Sequence, residues 1–130
     1  MIVDDPETHA EVMALFEAYE RALVSNDVEA LDGFFLESGT AIRYGGGENL
    51  YGIAEIRAFR AARSPVGLMR ALERPQVTTY GRDLAIAATL FRRASAPGKI
   101  GRQMQTWVRF PQGWRIVAAH VSRIDEPKGA

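Results

Sequence analysis

Arginine dominates the chemistry this chain could perform. Of its 16 positively charged side chains, 14 are arginine, and only Lys99 and Lys128 are lysine. A planar guanidinium grips a carboxylate or phosphate through two parallel hydrogen bonds, which an ammonium group cannot do. A bias in residue usage accounts for most of the 14, and any that turn inward are candidates for holding an anion. A second group of polar residues, Gln103, Gln105, His120 and Ser122, falls in the last two strand-like runs. Cysteine is absent, and His9 and His120 are the only histidines. Disulfides, thiolate catalysis, zinc fingers, iron–sulfur clusters and a three-histidine metal site within one chain are therefore excluded.

The elements that must position these groups are legible from periodicity. Asp4 or Asp5 followed by Pro6 marks a helix start, and Val12, Leu15, Phe16, Tyr19 and Leu23 recur at steps of three and four as one apolar stripe. Ser25-Asn26-Asp27 breaks that helix. Asp27 can cap a second one carrying Val28, Leu31, Phe34 and Phe35, ended by Gly39. Thr40 to Tyr44 reads as a short strand running into Gly45-Gly46-Gly47, with Glu48 and Asn49 in the same glycine-rich loop. A third helix from about Ile53 to Arg63 turns Ile56 and Phe59 inward and sets Arg57, Arg60 and Arg63 along its polar side. Four long strands follow, over 68–80, 84–94, 100–110 and 114–124, separated by Gly- and Pro-containing turns. Pro75 marks an edge position or a bulge. Helices followed by an antiparallel meander give an α+β domain over residues 1–125, its helices packed on a strongly curved antiparallel or mixed sheet, with 126–130 as a flexible tail.

Alternation along a strand assigns faces. Arg115 and Arg123 share one face of the last strand, which places them outward and turns Trp114, Ile116, Ala118, His120 and Ser122 inward. Gln103, Gln105 and Trp107 share a face of the strand before it. Polar groups on an apolar concave face must find partners or a ligand. A hydrogen-bonded core and a ligand pocket both satisfy that pattern, and periodicity alone leaves the two open.

The chain has 130 residues, 47% hydrophobic and 25% charged, with 16 positive and 16 negative side chains. That composition fits one globular domain. A zero net charge gives no field to attract nucleic acid or an anionic membrane. The first residues lack the basic segment and apolar run of a signal peptide, and no apolar stretch approaches the roughly 20 residues of a membrane span. The expected location is the cytoplasm.

The arrangement resembles the nuclear transport factor 2-like superfamily, also described as SnoaL-like or cystatin-like. The resemblance rests on the tyrosine of the first helix, Ser25 to Leu31, Phe34-Phe35 ahead of a short strand, Gly52-Ile53 opening the third helix, and the ending from Gly113 to Ser122. The stretches from Arg43 to Gly52 and from Gly101 to Phe110 are similar to the AtzH-like branch, which is linked to oxalurate catabolism and to removal of carboxylated ureas in s-triazine breakdown. That likeness implies a helix-one tyrosine and a strand-one arginine as the catalytic pair, at Tyr19 and Arg43. Ketosteroid isomerases of the superfamily carry a carboxylate base on that strand. An arginine in its place counts against proton abstraction from carbon and favours an anionic ligand. A phenol beside a guanidinium should also be more acidic than usual.

The resemblance thus implies hydrolysis or decarboxylation of an N-carboxylated urea-type compound without metal or organic cofactor. Arg43 would hold the carboxylate and Tyr19 would protonate the departing nitrogen. Gln103, Gln105, Asn49, His120 and Ser122 would contact the substrate's polar edges, and Trp107 and Trp114 would form flat walls. The expected partners are that small anionic substrate, a second copy of the chain and an amidase, with no nucleic acid and no membrane. A noncatalytic accessory role beside the amidase is the alternative. An isomerase or cyclase of a lipophilic substrate is disfavoured by Arg43.

Overall fold

A computed structural model describes residues 1–127. The elements run α1 (Pro6–Val24), α2 (Val28–Gly33), β1 (Ile42–Tyr44), β2 (Asn49–Tyr51), α3 (Ile53–Ala62), β3 (Ala71–Tyr80), β4 (Leu84–Arg92), β5 (Lys99–Phe110) and β6 (Gly113–Asp125). Asp5 caps α1 by accepting from the Thr8 backbone N–H at 3.2 Å and from the Thr8 hydroxyl at 2.8 Å, with Pro6 at the first helical position. Asp27 caps α2 through the Ala30 N–H at 3.2 Å.

The second helix is shorter than the sequence pattern implies. It ends at Gly33 rather than near Gly39, because Phe34 and Phe35 leave the helix to meet the sheet. The Ile116 N–H donates to the Phe34 carbonyl at 2.8 Å, and Phe35 bridges Ile116. A second difference is β2, which forms within the segment expected to be loop and pairs antiparallel with β1.

The sheet has six strands in the order β2-β1-β6-β5-β4-β3, and it is mixed because β1 runs parallel to β6. Pro75 meets both expectations. Strand β3 lies at the edge, and its register shifts between Glu73 and Gln76, where Arg74 has φ 51°. The helices cover the inner face, where Val12, Phe16, Leu31, Phe35, Ile56, Trp107 and Ile116 form the core. Each such side chain contributes about 1.5–3 kcal/mol on burial.

One irregularity decides which side chains face the helices. Thr106 pairs with Ala118, but Trp107 pairs with Ile116, so Val117 is an additional residue in β6. Before the bulge Trp114 and Ile116 are buried; after it the buried residue is Ala119, while His120 is exposed. The inward orientation expected for His120 and Ser122 is therefore corrected. At the chain's end, Glu126 donates its N–H to the Gly98 carbonyl at 2.9 Å and pairs with Arg92 at 3.0 Å. The last three residues of the expected tail, Lys128 to Ala130, lie outside the described residues.

Candidate functional site

The ladder aligns an inner row in which Arg43 stands beside Ala119 and Leu50, and Ala119 stands beside Gln105. Arg43 is only 7% exposed. Its guanidinium lies 5.4 Å from the centre of the Phe59 ring on α3, and its Nη1 donates to Glu48 Oε1 at 2.8 Å. Tyr19 comes to the same place from α1. Both line a cavity of about 960 Å³ whose rim reaches the exposed Lys99, Arg123 and Asp125.

Tyr19 is held by a residue that sequence reading set on the helix surface. Arg60 is 1% exposed, and its Nη2 donates to the Tyr19 hydroxyl at 2.9 Å. Asp32 of α2 balances its charge at 3.6 Å. This pair is loose: Asp32 Oδ1 and Arg60 Nε each lack a hydrogen-bond partner among the described residues. Burial pushes the Asp32 carboxyl up, and the charges of Arg60 and Arg57 only partly offset that. For Tyr19 the balance falls the other way. Burial opposes ionisation, but the fields of Arg60, Arg43 and Arg70 and the Arg60 hydrogen bond together bring the phenol below its ordinary value. Because the Tyr19 oxygen accepts from Arg60, its own proton is left for a group in the cavity.

More arginines than anticipated gather around this space. Arg70 is clamped by Glu20 through contacts of 2.6 to 3.2 Å and donates to Gln103 Oε1 at 2.9 Å. Two guanidinium groups lie against the Phe91 ring, Arg70 at 4.4 Å and Arg93 at 4.9 Å from its centre. Gly101 makes room for that ring, since a Cβ there would overlap it. Burial, then the like charges of Arg70, Arg123 and Arg63, pull Arg93 down to about 10. Arg63 is lowered too, by burial and then by Arg60 and Arg43, and its buried Nε has no partner among the described residues. Such crowding of like charge is costly, and an anion relieves it.

The residues named from sequence divide three ways. Tyr19, Arg43 and Gln103 come together in the cavity wall. Gln105 and Trp107 are both buried, but they spend their polar groups on each other, Trp107 Nε1 donating to Gln105 Oε1 at 3.1 Å, and neither lines the cavity. Trp114 is likewise core, its Nε1 donating to Glu11 at 3.0 Å. His120 and Ser122 border the cavity by position, but their side chains lie on the outer face. The His120 ring packs edge-on to Tyr44 at 6.2 Å, and Ser122 Oγ accepts from the exposed Arg102 Nε at 3.2 Å. Asn49 is exposed opposite Tyr44, and its neighbour Glu48 enters the cavity instead.

Arg60 and Arg63 were missed although a signal was present. They follow Ile56 at steps of four and three, on the helix stripe that faces the core. Among the described residues no three His, Asp or Glu side chains converge as a metal site requires. A mostly cationic lining would also repel a metal ion.

The AtzH-like family model matches residues 1–127. The chain belongs to the AtzH-like family. Among solved structures, this AtzH-like chain is similar to a protein of unknown function from Pectobacterium atrosepticum, at 56% identity over 95% of each chain with a TM-score of 0.92. A cystatin-like fold protein from Burkholderia xenovorans is 47% identical over 98% of this chain and 99% of its own, with a TM-score of 0.93. A nuclear transport factor 2-like protein of unknown function from Pseudomonas putida is 17% identical over 89% of this chain and 86% of its own, with a TM-score of 0.75; it shows the shared fold alone. No curated protein matches the chain. Among the described residues, no helix is long and apolar enough to cross a membrane.

Proposed function

We propose that the cavity binds a small N-carboxylated urea and cleaves its carbamate C–N bond. The carrying observation is that a buried tyrosine with a spare proton and a buried arginine line one cavity, together with Arg63 and Arg93, which have no carboxylate partner among the described residues. Arg43 holds the substrate carboxylate. The bond between the carboxylate carbon and the urea nitrogen breaks with its electron pair staying on nitrogen. Tyr19 delivers a proton to that nitrogen, and carbon dioxide departs. Arg60 stabilises the resulting phenolate until water returns the proton. Gln103, which accepts from Arg70 in the cavity wall, contacts the substrate's polar edge in this reading.

A homodimer through the outer sheet face belongs to the same proposal. Met104 and Tyr51 stand exposed there beside Ile86, Leu90 and Ala118, on the side the helices leave uncovered. The protein would act in the cytoplasm.

The test is turnover of N-carboxyurea by the purified protein, followed as carbon dioxide and urea release. Tyr19→Phe should keep binding and lose about 10²–10⁴-fold in rate. A noncatalytic subunit that serves an amidase has the same cationic cavity in its favour, and it predicts binding without turnover.

A further inference from the structure

Arg43 is already engaged by a carboxylate of its own chain. Glu48 stands five residues on, in the cavity wall, and a single guanidinium nitrogen meets a single carboxylate oxygen at 2.8 Å. Its other oxygen accepts only the Gly47 N–H, at 3.2 Å. The contrast with Glu20 is informative. Glu20 uses both oxygens on Arg70 and holds it as a fixed part of the wall. Glu48 makes a one-point contact at the rim of a glycine-rich loop.

The loop is shaped for this carboxylate. A Cβ on Gly45 would overlap the Glu48 carboxyl group, and the three atoms it would meet first all belong to that side chain. Gly45 does not have the positive φ that would itself demand glycine. Its missing side chain is therefore the space Glu48 occupies. Gly46 and Gly47 stand in open space, and consecutive glycines leave the backbone free to rearrange.

We propose that Glu48 is an internal competitor for the anion site: its carboxylate rests on Arg43 until a ligand's carboxylate displaces it, and 45–47 is the hinge on which it leaves. This rests on Arg43 being the anion-holding residue. An incoming carboxylate cannot share Arg43 with Glu48 without like-charge repulsion at close range. A ligand that offers both oxygens to the guanidinium gains the bidentate geometry Glu48 lacks. Glu48 therefore sets how strongly a ligand must bind to enter, and excludes anions that would merely replace it.

Calorimetric titration with malonate, a stable small dicarboxylate, tests this on the wild type, Glu48→Ala, Gly45→Ala and Arg43→Gln. Glu48→Ala removes the competitor; Gly45→Ala expels it while leaving both charged residues in place. Each should bind malonate roughly tenfold tighter than the wild type, and Arg43→Gln should lose binding. Unchanged or weaker binding in Glu48→Ala and Gly45→Ala, with binding still lost in Arg43→Gln, overturns the competitor role and leaves the Arg43 site standing. Binding that survives Arg43→Gln at wild-type strength, or heat from none of the four proteins, overturns both.

Discussion

The Tyr19 hydroxyl accepts a 2.9 Å hydrogen bond from Arg60 Nη2 at a point where both side chains are almost closed to water. Arg60 is thereby the largest of the influences that acidify Tyr19, ahead of Arg43 and Arg70, and it acts from a helix whose arginines look solvent-facing in the sequence. Replacing Arg60 with Met keeps much of its bulk and removes its charge and its donor. The Tyr19 phenol should then titrate higher than in the wild type, which the phenolate absorbance of Tyr19 would report against a Tyr19→Phe control.

The same shift has a consequence for stability. Tyr19 binds its proton less tightly in the folded chain than in the unfolded one. The contribution is therefore fully present above the ordinary tyrosine value and lost as pH falls through the lowered one. Denaturant unfolding at a series of pH values should show wild type gaining on Tyr19→Phe as pH rises toward about 10. A difference that stays constant across that window would count against an acidified Tyr19.

Trp107 separates a core residue from a cavity wall. Its ring packs edge-on to Phe34 at 6.0 Å, and its N–H is committed to Gln105. Trp107→Phe should cost about 1–3 kcal/mol in unfolding experiments, from lost volume and an orphaned Gln105. Malonate affinity should stay within about twofold of wild type, since Trp107 does not line the cavity. A large loss of affinity with unchanged stability would restore it to the ligand's surroundings.

The outer face makes a prediction about assembly. Met104 is 56% exposed in the middle of the sheet, directly across from His120. Met104→Asp should convert a dimer to a monomer by light scattering, because a charge buried at such a contact loses its hydration. His120→Ala should leave malonate binding unchanged. A monomeric wild type would remove the homodimer from the proposal.

Much of this architecture can be read from residue order. Pro6 and Asp27 announce two helices, Gly81, Gly98 and Gly113 separate the long strands, and Pro75 marks an irregular edge. Alternation sets Arg43 on the face opposite Ile42 and Tyr44, but it does not say that the arginine's face is the inner one. What alternation could not convey is the additional residue at Val117, which reverses the faces of everything after it and moves His120 and Ser122 out of the interior. Nor does a polar side chain declare that it is buried. Arg60 sits on the core stripe of α3 because Asp32 and the Tyr19 and Phe35 rings receive its charge, and those partners lie far away in sequence. Arg70 and Arg93 come together at Phe91 only after the sheet has formed.

The arginine at the centre of the site is the most direct point of attack. A crystal structure with malonate bound should show one carboxylate on Arg43 at about 2.7–2.9 Å, within reach of the Tyr19 hydroxyl and with Glu48 displaced from the guanidinium. Malonate seated elsewhere, with the Arg43–Glu48 pair intact, would contradict an anion site built on Arg43.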